Sequence, residues 1–360
     1  MKNSNYYAIL MAGGVGSRFW PASTQANPKQ FQDILGSGKS LIQVTFARLT
    51  KIIPSENIYI LTHKDYIRLV KEHLPQVKEE QIVPEPAMRN TAPSILLGAL
   101  KIRKKNKDAL ILVAPSDHWI DDDEEFSKNV ESGFEAVSED DKLITLGINP
   151  AYPNTGYGYI KYNPKEKTKL SKVENFTEKP GFKKAEQFLK SGNYLWNAGI
   201  FIWSATFIIQ SFEKYLPEMY RLFQKGDDLW NTDEETAFLE NNYALADNIS
   251  IDYGILERSD SVFVIPVDFK WNDLGTWKSL ERELPQDEFQ NTVVNSRLLP
   301  IDSSGNIIST ESGKVVVLEG ITDYIIVETA EVLLLLPKDK EQSIKELREK
   351  VRERFGNNLG

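Results

Sequence analysis

Three short apolar runs, Tyr6–Met11, Asn57–Thr62 and Ala109–Ala114, recur at intervals of about fifty residues, with helical patterns near 41–51, 65–73 and 91–106 between them. Runs this apolar, mostly bounded by turn residues, belong to strands buried on both faces. Strands that alternate with helices pair in parallel through crossovers. The first 150 residues therefore predict an α/β, doubly wound, mostly parallel, Rossmann-like sheet.

The texture then changes twice. From about 150 to 285 the pattern is mixed, with strand-like Tyr157–Tyr162 and Tyr194–Trp203 among helices near 183–190, 205–215 and 275–283. Residues 292–336 hold short β-rich runs separated by Ser, Gly, Asn and Asp, which reads as all-β. A last helix over 341–355 carries Ile344, Leu347, Val351 and Phe355 on one stripe. A boundary near 287 is expected, dividing 1–286 from a small β-rich, β-helix-like tail with its terminal helix, 287–360. A homodimer is compatible with such a tail.

Charge narrows the partners. The net charge of −9 argues against nucleic acid and anionic membrane surfaces, so any phosphate site must gather its cations locally. Cysteine is absent and only three histidines occur, which excludes disulfides and thiol chemistry and disfavours a histidine zinc site. No leader or membrane-spanning run is apparent, and a cytoplasmic chain is expected.

Leu10-Met11-Ala12-Gly13-Gly14-Val15-Gly16-Ser17-Arg18 follows the first strand directly. Clustered glycines admit close backbone approach, and clustered N–H groups cradle anions. It is not the dinucleotide fingerprint, because Phe19 stands where the third glycine belongs. Gly36-Ser37-Gly38-Lys39-Ser40 is no P-loop either, since Asp33 takes the first-glycine position; a turn is expected there. Arg18 and Lys29 flank Trp20-Pro21 and Pro28, placing two cations on a stiffened loop beside the glycines, which suits a triphosphate.

These stretches, with Pro28-Lys29-Gln30-Phe31, Glu85-Pro86, Arg89-Asn90-Thr91-Ala92-Pro93 and Pro115-Ser116-Asp117-His118, resemble the sugar-nucleotide pyrophosphorylases. Thr155-Gly156-Tyr157-Gly158-Tyr159-Ile160, Phe176-Thr177-Glu178-Lys179-Pro180 and Trp196-Asn197-Ala198-Gly199 continue the likeness. Ile251-Asp252-Tyr253-Gly254 and Trp271-Asn272-Asp273-Leu274-Gly275-Thr276-Trp277 complete it, and within the family the mannose-1-phosphate guanylyltransferases are most similar. Ser116 and Trp119 depart from the alanine and Leu-like residue expected there, without adding or removing a ligand group.

The resemblance implies transfer of GMP from GTP to mannose-1-phosphate, giving GDP-mannose and pyrophosphate, on a nucleotidyltransferase type A-like fold. A manno-heptose-1-phosphate substrate and a non-catalytic sensor of the same fold are the alternatives. The resemblance assigns Arg18, Lys29, Asp117 and Asp273 to catalysis, with Asp117 and Asp273 also holding Mg²⁺. It assigns the nucleotide to Leu10, Ala12, Gly13, Gly14, Gly16, Ser17, Glu85, Asn90 and Thr91. The sugar phosphate falls to Gly158, Glu178, Lys179 and Asn197. Glu178 and Lys179 serve one cleft only if Pro180 bends the chain, because neighbours in a strand face opposite ways. Guanine presents two adjacent donors that an ionised Glu85 would match. His118 reads as a packing residue, and Asp121, Asp122 and Asp123 as a solvated helix start. Longer members carry an isomerase domain for which 287–360 has no room, so a single activity is expected.

Overall fold

The computed structural model describes residues 2–164, 169–356 and 359. The expected runs become β1 (Tyr6–Met11), β2 (Ile58–His63) and β4 (Leu110–Pro115), with β3 (Ile82–Glu85) between them in sequence. The helical patterns become α1 (Leu41–Leu49), α2 (Ile67–His73) and α3 (Thr91–Lys105). Pairs β1–β2, β2–β3 and β1–β4 are parallel. The later half supplies β6 (Leu143–Ile148), β7 (Tyr159–Tyr162), β8 (Ser171–Thr177), β9 (Tyr194–Ser204) and β10 (Val262–Val267). All nine form one sheet in the order β3-β2-β1-β4-β9-β6-β10-β8-β7. Strand β9 runs antiparallel to both β4 and β6, whereas β6 and β10 are parallel. The parallel part thus coincides with the βαβ rhythm, and antiparallel pairing enters where that rhythm stops. Two-residue strands β5 (Trp119–Ile120) and β11 (Trp271–Asn272) lie outside this sheet.

Strand order reverses at β1, whose partners β2 and β4 continue the chain on opposite sides. Ligands of open α/β sheets bind beyond the carboxyl ends of strands at such a switch point. Met11 stands opposite Pro115 there, and both strands run straight on into the glycine loop and the Asp117 segment.

Two compact units divide the chain, and neither is continuous in sequence. The first comprises 1–13, 46–115 and 120–271 and contains the nine-stranded sheet. The second comprises 14–45, 116–119 and 272–360. The second unit therefore holds most of the glycine loop, Asp117 and Asp273 together with the β-rich tail. Its core gathers Phe19, Trp20, Ile34, Leu274, Trp277, Ile307, Ile325 and Ile344.

In that tail β12 (Thr292–Ile301), β13 (Ile307–Glu319) and β14 (Tyr324–Glu328) stack in parallel, and β15 (Leu333–Pro337) closes antiparallel on β14. Two fully buried asparagines tie the coils. Asn306 donates to Asn291 Oδ1 (3.0 Å) and the Ile321 carbonyl (2.9 Å) and accepts from the Tyr324 N–H (2.9 Å). Asn306→Leu strands buried donors and acceptors at about 1–3 kcal/mol each. We expect its calorimetric melting midpoint to fall by roughly 10 °C; an unchanged midpoint would deny the ladder a stabilising role. The terminal helix, Ile344–Phe355, follows a 3₁₀ turn over Lys338–Ser343. Ile344 is buried with Leu347 and Val351 packed beside it, but Phe355 at the end of the stripe is exposed. Among the described residues no helix is long and apolar enough to cross a membrane.

Candidate active site

In the second unit the glycine loop closes on Lys29. Gly16 has φ 72°, and a Cβ there would collide with Lys29 Cβ, so both backbone and space demand glycine. Phe19 and Trp20, buried in the core, anchor the loop from below. Ser23 Oγ (2.6 Å) and the Lys29 N–H (3.2 Å) both donate to the Val15 carbonyl and fix its far side.

Lys29 itself is buried, and its ammonium donates to Asp117 Oδ2 (3.0 Å) and to the Asp273 carbonyl (2.6 Å). Burial raises the Asp117 carboxyl, but the Lys29 ammonium and neighbouring His118 outweigh it and hold the group below the usual range. It stays ionised at neutral pH. Asp273 starts a tight turn in which fully buried Leu274 takes φ 46° and Asp273 Oδ1 accepts from the Gly275 N–H (2.9 Å). Strained residues of this kind persist only where surrounding packing holds them, and they cluster at ligand sites. Arg18, Lys29, Asp117, His118, Asp273 and Lys345 line one cavity of about 290 Å³. Small, polar and cation-rich, it suits phosphate oxygens.

Other expectations resolve locally. His118, expected to pack, is largely buried and also lines the cavity, its Nε2 3.9 Å from Asp117 Oδ1. The turn at Gly36–Gly38 forms as expected, and Asp33 fills its cradle by accepting from the N–H groups of Ser37 (2.8 Å) and Gly38 (2.7 Å). Asp122 caps α4 (Asp123–Glu139), while Asp123 pairs with Arg48 (2.6 Å) and Lys51 (2.9 Å). The aspartate run is structural.

The first unit holds two further groups. Glu85 ends β3 and is buried, accepting from the Tyr243 hydroxyl at Oε1. Its Oε2 lies 3.6 Å from where a Gly13 Cβ would stand. Burial pushes its pKa up to about 7, against hydrogen bonds from Tyr243 and Ser94 that lower it. The same burial and the Glu85 charge hold the Tyr243 phenol well above its usual value, so it remains a donor. Leu10 and Ala12 are buried at the root of the loop, and Ala12 bonds through its N–H to Leu61 (2.8 Å) and through its carbonyl to Thr62 (2.9 Å). Asn90 Oδ1 caps α3 at the Thr91 N–H (2.9 Å), and Thr91 Oγ1 accepts from the Ile251 N–H (2.9 Å). Both of those side-chain oxygens serve the fold.

The second group gathers Gly158, Glu178, Lys179 and Asn197. Glu178 and Lys179 lie past the end of β8, and Lys179 takes φ 46°, so the chain does bend before Pro180. Both side chains come together, Lys179 Nζ donating to Glu178 Oε1 (2.7 Å). A Cβ at Gly158 would press on Glu178 Oε2, so the carboxylate occupies room that the glycine leaves open. Asn197 accepts from Thr145 Oγ1 (2.9 Å) and donates to Asp252 Oδ1 (2.9 Å). Burial, with the Glu178 charge beside it, raises the Asp252 carboxyl to about 6. Asp252 and Tyr243 are two of the residues that sequence reasoning missed. The first stood in a quoted motif without a role; the second has no motif signal.

Residues 7–289 match the nucleotidyl transferase family, and residues 296–351 match the MannoseP isomerase/GMP-like beta-helix domain. The xanthan biosynthesis protein XanB of Xanthomonas campestris pv. campestris is 33% identical over 96% of this chain and 73% of its own length. The mannose-1-phosphate guanylyltransferase of Escherichia coli (strain K12) is 31% identical over 98% of this chain and 74% of its own. A crystal structure described as mannose-1-phosphate geranyltransferase from Thermus thermophilus aligns at TM-score 0.87 with 30% identity, covering 97% of this chain and 99% of that one. The glycine loop, the Lys29–Asp117–Asp273 junction and the β-helix tail thus fall inside matched regions: the chain belongs to the nucleotidyl transferase family and, within it, to the group of the mannose-1-phosphate guanylyltransferases.

Proposed function

We propose that the chain transfers GMP from GTP to mannose-1-phosphate, releasing pyrophosphate and GDP-mannose, in the cytoplasm. The observation that carries this reading is the junction at Lys29, where one ammonium joins Asp117 to the Asp273 turn beside the glycine loop. A sugar phosphate is already largely ionised at neutral pH, its second pKa lying near 6. It attacks the α-phosphorus of the nucleotide directly, and the protein needs neither a nucleophile nor a general base. Its work is to position two anions and to stabilise charge, as in phosphoryl transfer generally. Lys29 and Arg18 act on the transferring phosphates; Glu178, Asn197 and Asp252 hold sugar hydroxyls, with Lys179 on the sugar phosphate. Glu85, oriented by Tyr243, reads guanine.

Asp117 and Asp273 would hold Mg²⁺. Among the described residues no three His, Cys, Asp or Glu side chains converge on one point, so the protein offers these two carboxylates and leaves the remaining positions to phosphate and water. That is the usual donor set for this ion. When bound, Mg²⁺ neutralises charge on the phosphates. Asp273→Asn should shift the Mg²⁺ titration of turnover upward by about tenfold; an unchanged titration removes Asp273 from that role.

Residues 1–286 form the catalytic domain in this reading and 287–360 the β-helix domain. Exposed Leu299, Val315, Val317, Leu333 and Leu335 on the latter support a homodimer. Pyrophosphate release measured across four nucleoside triphosphates and several sugar-1-phosphates tests the function. GTP with mannose-1-phosphate should stand out, and no release from any pairing with Mg²⁺ present would refute it.

A further inference from the structure

We infer that Lys345, on the terminal helix, is a phosphate contact of the active site, so that the segment following the β-helix takes a direct part in the reaction. The inference rests on the proposed reading of the cavity as a polyphosphate site. Lys345 belongs by sequence to the tail, far from every motif discussed above. In the folded chain it lines the cavity that also holds Arg18, Lys29, Asp117 and Asp273.

Its place there is fixed by packing. Ile344, the preceding residue, is 1% exposed in the same core as Phe19 and Leu274, which adjoin Arg18 and Asp273. Leu347 and Val351 pack along that core one and two turns on. The Trp20 indole N–H also donates to the Leu359 carbonyl (2.7 Å), so the chain beyond the terminal helix is tied to the loop residue next to Phe19.

Charge gives the lysine its role. Lys29 is already neutralised by Asp117 at 3.0 Å. Among the described residues neither the Arg18 nor the Lys345 side chain has a hydrogen-bond or ion-pair partner. Other cations nearby do: Lys350 pairs with Glu346 (2.6 Å), Arg352 with Glu349 (3.0 Å) and Lys338 with Glu281. Arg18, Lys29 and Lys345 set against Asp117 and Asp273 leave the cavity one positive charge in excess. Without Lys345 that excess is zero. In a chain of net charge −9, this one side chain supplies the positive excess that the cavity's own side chains offer an anion. Arg18 and Lys345 together are the free donors for the departing pyrophosphate.

The test is calorimetric binding of inorganic pyrophosphate to the full chain and to Lys345→Ala, Lys345→Met and Lys345→Arg, alongside steady-state kinetics. Loss of one charge-assisted contact should weaken pyrophosphate binding by roughly 10- to 100-fold in the Ala and Met variants, with Arg restoring most of it. KM for mannose-1-phosphate should hold steady, a split that a merely structural lysine would not produce. Unchanged pyrophosphate affinity in Lys345→Ala overturns the inference, as does a wild-type chain that binds no pyrophosphate. Should Lys345→Ala melt early, Lys345→Met keeps the aliphatic stem and decides the matter. A wild type that binds pyrophosphate through Lys345 yet releases none from any nucleoside triphosphate would refute the proposed function and leave this contact standing.

Discussion

Lys29→Met is expected to lower kcat by at least about 100-fold, the scale of losing one well-placed stabiliser of developing charge. Methionine keeps the stem that packs against Gly16 but removes the ammonium, which lies over the Phe19 ring. Two effects then coincide. The transferring phosphates lose a cation, and Asp117 loses the partner that offsets its burial, so its carboxyl pKa rises. Steady-state kinetics with GTP and mannose-1-phosphate, with a melt to verify folding, reads the outcome. A near-normal kcat with only a raised KM for the sugar phosphate would move Lys29 away from the nucleotide phosphates.

Glu85→Gln should cost GTP preference about 1–3 kcal/mol, or about 5- to 150-fold in the ratio of kcat/KM for GTP over inosine triphosphate. Inosine lacks the 2-amino group, so the ratio isolates one of the two donors that an ionised carboxylate would accept. The carboxyl titrates at about 7, so this preference in the wild type should fade as pH drops below that value. Stability moves in the opposite sense. Between the ordinary carboxyl value of 4.5 and about 7 the folded chain holds a proton that the unfolded chain has lost, so stability falls as pH rises through that window. The penalty is complete above 7 and is about 3 kcal/mol for a shift of this size. Glu85→Gln should therefore melt above wild type at pH 8, with the difference closing towards pH 5. A variant no more stable at pH 8, with an unchanged GTP ratio, would place guanine recognition elsewhere.

What could be read in advance follows from the range of the interactions. Strands buried on both faces leave continuous apolar runs, so β1, β2 and β4 stood out, and α3 announced itself through its length and its start at Thr91. Lys29 was legible as a cation near glycines. Asp117 and Asp273 were grouped with it only through the family resemblance: Asp117 lies 88 positions away and the Asp273 carbonyl 244, and no local pattern encodes either distance. Tyr243 meets Glu85 across 158 positions from a segment with no recognisable motif. For Asn90 and Thr91 the residue types were read correctly as polar groups at a helix start, but the backbone nearby claimed their oxygens first. Asp252 was visible only as a letter in a motif, because its meaning depends on Asn197 and Glu178 from distant segments of the chain. Asn291 and Asn306 stand at the same point of successive coils, but two isolated asparagines fifteen positions apart form no repeat that the sequence alone displays.

The discontinuous makeup of the second unit has a consequence for how the chain comes into being. Residues 14–45 leave the ribosome early, yet apart from the short segment 116–119 their partners begin at 272, about 230 residues later. At synthesis rates of roughly 5–20 residues per second, the glycine loop waits some ten to forty-five seconds before it can be held in place. During that interval Phe19 and Trp20 have no Trp277 or Ile344 to bury them, while the first unit still lacks only part of its own sequence. The fold around the glycine loop is thus completed last, as a late event of maturation, and a nascent chain stalled before residue 272 would display two large aromatic side chains to whatever holdase is at hand.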